Sequence, residues 1–279
     1  MIEQEVPIKT VHLFPVLHAL LIDLLRSLRP EDWQKPTLAP LWAVKDIAAH
    51  LLDVNMRAIS ARDNYGSKQT SNISSYHDLV NYLNELNATW VKAMDRVSPQ
   101  QLINLLETTG REHSLYLATL APFAPAQFPI AWAGEEHSAN WFHIAREYTE
   151  KWHHQQQIRD AVGKPGLMTK ELFYPCIDTF MQGLPYNYCK VAADTGTLIK
   201  ITISGEEGGT WYLQKAVDGW ALQQDQVERI FEASVTLPAD VAWRLFTKGI
   251  QPATAKESSI IIGNKALASN LFPMIAVMA

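Results

Sequence analysis

The sequence has only two cysteines among its 279 residues, Cys176 and Cys189, and neither lies at C-x-x-C or zinc-ribbon spacing. That scarcity excludes a disulfide scaffold and a thiolate zinc ribbon. Both cysteines are expected as buried thiols, in keeping with a reducing compartment. A basic excess is missing as well: 24 Lys and Arg stand against 29 Asp and Glu, a formal charge of -5. This balance gives no electrostatic footprint for nucleic acid or for an anionic membrane surface. No apolar run reaches the length that spans a bilayer. The start, Met1-Ile-Glu-Gln-Glu5, is acidic and has no basic region followed by an apolar one, so no signal peptide is expected. There are no internal repeats and no low-complexity tracts. The expected setting is the cytoplasm, with neither nucleic acid nor membrane as a partner.

What is present describes a globular chain. It is 47% hydrophobic and 19% charged, long enough for one or two domains with a substantial core. Nine tryptophans imply large buried rings or a ligand cleft, burial being the commoner use.

The first half reads as helices. Thr10 is placed to cap a segment from Val11 to about Leu28, with Leu13, Leu17, Leu20, Leu21 and Leu24 on one face. A second helix is expected from Trp42 to about Tyr65, with an apolar stripe of Ile47, Leu51, Val54 and Ala58 and a polar one of Asp46, His50, Asp53 and Arg57. Ser75, with Asp78 three residues on, opens a third helix to about Val97, and Ser98-Pro99 opens a fourth. Three prolines between Ala121 and Gly134 mark a loop. A long helix follows from about Glu136 to Val162 and stops at Gly163-Lys164-Pro165. Long helices on short connections suggest an up-and-down bundle. After Pro165 the pattern changes. Thr169 caps one more helix, and Thr197 to Ser204 alternates with period two. Strands are expected at Thr210 to Lys215, Trp220 to Gln224, Ala233 to Leu237 and Ser259 to Ile262, with helices after Pro238 and Asn264. The expected division is an all-α domain over residues 1–165 and a small α+β domain over 166–279.

Two helical segments far apart in the chain carry candidate metal ligands. Glu150 and His154 are four residues apart, so they share one face of a helix, one turn apart. His50, on a separate helix and in the apolar neighbourhood Ile47 to Leu52, offers a third ligand. Two imidazoles and a carboxylate leave coordination positions open, as a catalytic metal site requires. The set suits Zn²⁺, Ni²⁺ or another borderline divalent ion. Asp46, one turn before His50, is placed to orient that imidazole. The plain alternative is that a Glu and a His one turn apart decorate a solvated face. Glu147, His153 and His143 are rivals that spacing alone does not separate from the three.

The stretch from Trp42 to His50, the Trp-Ala-Gly-Glu run at 132–135, and Glu150-Lys-Trp-His-His154 followed by Ile158-Arg-Asp-Ala-Val-Gly163 resemble the N-terminal domain of mycothiol-dependent maleylpyruvate isomerases. That domain is a DinB-like metal-binding four-helix bundle. The resemblance implies His50, Glu150 and His154 as the metal ligands, and it selects Glu150 over Glu147 and His154 over His153. Ala43 departs from the family, which often has Ser or Thr there as a helix cap. Residues 233–249 and 260–268 resemble the family's sterol-carrier-like C-terminal domain, where Arg244 is the nearest candidate for a catalytic arginine; its other reading is structural.

The resemblance implies a divalent metal and a low-molecular-weight thiol as cofactors. It also implies a small-molecule substrate and an isomerase or S-transferase reaction. The alternative is a non-catalytic small-molecule or lipid-binding protein whose metal site is structural or vestigial. Either a monomer or a homodimer is compatible with the sequence.

Overall fold

The computed structural model describes residues 4–65, 73–223 and 230–278, which fall into two compact units. One comprises Met1–Gln127, Ala139–Gly166 and Met278–Ala279; the other comprises Phe128–Ser138 and Leu167–Val277. The Phe128–Ser138 segment, placed before the boundary by sequence, thus groups with the later residues.

The first unit is helical: α1 (Phe14–Arg26), α2 (Val44–Arg62), α3 (Tyr76–Met94), α4 (Pro99–Thr119) and α5 (Asn140–Val162). Its apolar core draws Leu21, Leu24 and Leu25 from α1, Ile47, Ala48, Leu51 and Leu52 from α2, Leu102, Ile103 and Leu106 from α4, and Ile158 from α5. Trp90 of α3 fixes that helix to α2 by donating from Nε1 to the Ala49 carbonyl at 2.9 Å. The expected caps form at Ser75 and Ser98, whose hydroxyls accept the Asp78 and Gln101 amides. Gly163, at φ 66°, ends α5 in the left-handed conformation that its missing Cβ permits.

Several expected boundaries move. Thr10 makes no side-chain cap bond; Val11–Leu13 form a 3₁₀ turn, and the α-helix begins at Phe14. Pro15 explains this, because it has no N–H to offer the Val11 carbonyl. Helix α2 starts at Val44, after an extended Ala43 that bridges to Pro36. Helix α5 starts at Asn140 rather than Glu136, because Ala139 is held extended in a bridge with Pro125.

The second unit carries α6 (Lys170–Met181), α7 (Leu184–Asn187), β1 (Leu198–Ser204), β2 (Gly209–Lys215), β3 (Trp220–Gln223), β4 (Ala233–Pro238), α8 (Ala239–Phe246), α9 (Pro252–Glu257), β5 (Ile260–Gly263) and α10 (Lys265–Ser269). The five strands form a mixed sheet in the order β3-β2-β1-β4-β5, with β1 and β4 parallel and the other pairs antiparallel. Period-two alternation buries Ile199, Ile201 and Ile203 of β1 and Ala233, Val235 and Leu237 of β4. Gln224, expected at the end of β3, lies outside the described residues. Both cysteines are free, but only Cys176 is buried; Cys189 follows α7 and is exposed, correcting the expectation for it.

Candidate metal centre

Helix α2 contributes His50, and α5 contributes Glu150 and His154. The α2 start that positions His50 lacks a side-chain acceptor at Ala43, so its exposed amide is served from inside the helix: Asp46 Oδ2 accepts the Ala43 N–H at 2.9 Å. This use of Asp46 differs from the orienting role expected for it, since His50 Nδ1 is buried with no hydrogen-bond partner. In the middle of α2 the polar stripe turns inward at His50 and Asp53. Asp53 is buried and pairs with Arg57 at 3.1 Å, and burial raises its pKa against the pull of that arginine.

Helix α5 is unusual in what it buries. Glu147, His153, His154, Gln155, Gln156, Gln157 and Arg159 are all withdrawn from water alongside Tyr148, Trp152 and Ile158. Polar groups taken from water need partners, and the partners divide α5 into two clusters. In one, Glu147 pairs with Arg146 and faces His113 Nε2 at 3.7 Å. Burial opposes its ionisation, but the arginine and the histidine outweigh burial and hold the carboxyl below its usual range. In the other, His50 Nε2 and His154 Nε2 converge on one oxygen, Glu150 Oε1, at 3.1 and 3.2 Å.

These three residues each present a ligand atom within 4.8 Å of the other two, the one group of three His, Cys, Asp or Glu among the described residues that does so. The rivals do not join this group. His153 gives Nδ1 to the Thr149 carbonyl at 2.8 Å, and burial pushes its pKa down to about 3. His143 sits beside Arg146 and is held down at about 4, chiefly by burial.

The electrostatics of the triad call for a cation. Burial lowers the pKa of both His50 and His154, against the raising effect of Glu150, and so favours neutral rings. Burial alone would raise the Glu150 pKa, but the facing His154 and His50 rings outweigh it and hold the carboxyl well below its usual range. His154 Nδ1 lies 2.8 Å from Gln157 Oε1, an acceptor, and so carries the proton. In the neutral ring Nε2 then turns a lone pair toward an anionic oxygen 3.2 Å away. Two acceptors at that distance are relieved by a positive charge that both can bind. The donor set therefore fits a divalent ion, with soft-to-borderline nitrogen ligands and one hard oxygen.

Trp42 covers the pair of imidazoles. Its ring lies 4.8 Å from that of His50 at 36° and 5.9 Å from that of His154. It is held there by its own backbone: Trp42 N donates to the Ala39 carbonyl and Thr37 Oγ1 donates to the Trp42 carbonyl, at 2.9 and 2.8 Å. The other tryptophans near the motifs have different settings. Trp152 is fully buried, Trp141 stacks on Phe142 at 5.1 Å, and Trp132 belongs to the second unit. The side chains of His50 and His154 are 4% and 9% exposed while that of Glu150 is 21% exposed, so solvent reaches the triad on the carboxylate side.

One neighbour escapes a reading by motif. Lys151, next to Glu150, is half-buried and donates to the Leu51 carbonyl and Asn55 Oδ1; desolvation lowers its pKa to about 8 despite Glu147 and Glu150. Gln157, which continues the polar stripe of Glu150 and His154 in the sequence, meets His154 at i, i+3 spacing. Arg244, the expected catalytic arginine, lies on α8 in the second unit, where it pairs with Asp240 and sits 4.9 Å from the Trp243 ring.

Comparison with known proteins bears on this arrangement. Residues 14–159 match the family model of the mycothiol maleylpyruvate isomerase N-terminal domain. Two crystal structures of a mycothiol-dependent maleylpyruvate isomerase, one of them a mutant, are similar to the chain. Each has a TM-score of 0.50 and 12% sequence identity, covering 84% of this chain and 86% of that one. At that identity the likeness speaks to the fold. No curated protein matches the chain. No helix among the described residues is long and apolar enough to cross a membrane.

Proposed function

Because this chain belongs to the mycothiol maleylpyruvate isomerase N-terminal-domain family, we propose that it holds a divalent metal ion on His50, Glu150 and His154 and works with a low-molecular-weight thiol as an isomerase or S-transferase of a small molecule. The observation that carries this reading is the convergence of two buried imidazole nitrogens on one carboxylate oxygen from helices a hundred positions apart. Zn²⁺ and Ni²⁺ are the ions this ligand set suits. A cation bound there would lower the pKa of a coordinated thiol or water toward neutrality.

The chain's own residues do the rest. His50 and His154, kept neutral by burial, supply nitrogen donors without competing protons. Glu150 supplies the negative charge. Trp42 closes the ring faces, so thiol and substrate approach from the exposed carboxylate side. We assign a DinB-like four-helix up-and-down bundle to the first unit, supported by the shared core of α1, α2, α4 and α5. We assign a sterol-carrier-like α+β domain, from about residue 166, to the second. A catalytic Arg244 would first have to leave Asp240. The protein acts in the cytoplasm, as a monomer or a homodimer.

The test is metal content by plasma mass spectrometry on protein purified without a nickel column, for the wild type beside His50→Ala, Glu150→Ala and His154→Ala. Near-stoichiometric metal in the wild type and loss in each variant is the expected result. It would be followed by a screen of thiols with activated alkenes and other electrophiles. A wild type that contains no metal and takes none up would remove the site. Full metal loading with no turnover for any pair would favour a binding protein instead.

A further inference from the structure

We infer that Gln157 is the positioning residue of the metal centre, holding His154 in the one tautomer and orientation that present Nε2 as a ligand; this rests on the metal reading proposed above. The observations are geometric. Gln157 Oε1 stands 2.8 Å from His154 Nδ1, and both side chains are buried. An amide oxygen only accepts, so the proton of the neutral ring is fixed on Nδ1 and the lone pair on Nε2, the atom that faces Glu150. His154 and Gln157 are three residues apart on α5, so the same helix that aims the ligand also holds its support. That arrangement ties the ring to the backbone at two points.

His50 has no equivalent. Its Nδ1 is buried with no hydrogen-bond partner, and Asp46, the carboxylate one turn before it, is engaged at the helix start. Its ring is held by packing against Trp42. The two imidazoles are therefore unequal at Nδ1: that of His154 meets a directional acceptor, while that of His50 has none and its ring face rests on Trp42. Outer partners of ligating histidines typically contribute 10–100-fold in metal affinity, and here that contribution is concentrated in a single neutral side chain.

The test compares full-length wild type, Gln157→Leu and Gln157→Glu by Zn²⁺ competition against a chromophoric chelator and by the visible absorption of bound Co²⁺. Leucine keeps the bulk and removes the acceptor. Affinity should fall about 10–100-fold, and the Co²⁺ bands should shift as the ring loosens. Glutamate can only accept when ionised, so it should restore affinity to the wild-type level or beyond, which a packing role would not predict. Gln157→Met takes the place of Gln157→Leu, with the same expectation, if circular dichroism shows that the leucine variant does not fold. Affinity within twofold of wild type in the apolar variant, or a glutamate variant as weak as the leucine one, would overturn the inference while leaving the metal site intact. A wild type that binds neither ion would overturn the metal reading itself.

Discussion

Metal binding should stabilise the fold, and His50 is the residue through which the effect can be isolated. Glu150 and His154 are one turn apart and can meet in any transient helical turn of an unfolded chain. His50 is 100 positions from Glu150 and reaches it only when α2 and α5 are packed together. An ion that needs all three ligands therefore binds the folded state selectively. A ligand at a hundred times its dissociation constant stabilises the state it binds by about 2.7 kcal/mol. With about 2–4 °C per kcal/mol for units of 150–250 residues, the melting temperature should rise by about 5–10 °C between chelated and metal-loaded wild type. The assay is thermal unfolding followed by far-ultraviolet circular dichroism, with each variant compared with itself in chelator and in metal. That self-comparison cancels the packing lost when an imidazole is removed. In His50→Ala the metal increment should shrink to about a degree or less. An equal increment in wild type and His50→Ala would mean that the ion binds elsewhere or that His50 is not a ligand, and the reasoning would fail.

Three further outcomes follow from the structure. The pKa values of His143 and His153 are held down at about 4 and about 3 in the fold, against about 6.5 in an unfolded chain. The unfolded state therefore binds more protons below pH 6.5, and stability should fall from pH 7 to 5 by up to about 1.4 kcal/mol per pH unit for each group. Denaturant titrations at both pH values should show a smaller loss in His143→Gln and His153→Gln, and unchanged losses would refute the assignment. Ala43→Ser should stabilise the chain by about 1 kcal/mol, because the extended residue at the α2 start has no side-chain acceptor for the helix amides; an unchanged denaturation midpoint would count against it. Asp46→Ala should cost about 1 kcal/mol by freeing the Ala43 amide and should leave Zn²⁺ affinity within twofold; a tenfold loss of affinity would return Asp46 to the role of orienting His50.

The elements are legible where the sequence punctuates itself locally. Ser75, Ser98, Thr169 and Asn264 each cap the helix they announce, because the bond from side chain to amide spans three residues. The start of α5 is not legible, since it depends on a bridge between Ala139 and Pro125, fourteen positions apart across an irregular segment with no helical or strand period. The four residues of α7 and the six of α9 are too few to display a helical period. For the site, spacing places Glu150 beside His154 but leaves His50, His143, Glu147 and His153 open. Periodicity says which residues share a face, not which face is inside. The structure turns His50 and Asp53 of the α2 stripe and most of the polar residues of α5 inward, and that is the physical reason these helices carry the site. A stretch holding Glu147, Glu150, His153, His154 and three glutamines is costly to bury unless each group finds a partner. Most find one within α5 or on a neighbouring helix. Glu150 and His154 find each other and His50, and the one charge that arrangement still lacks is positive.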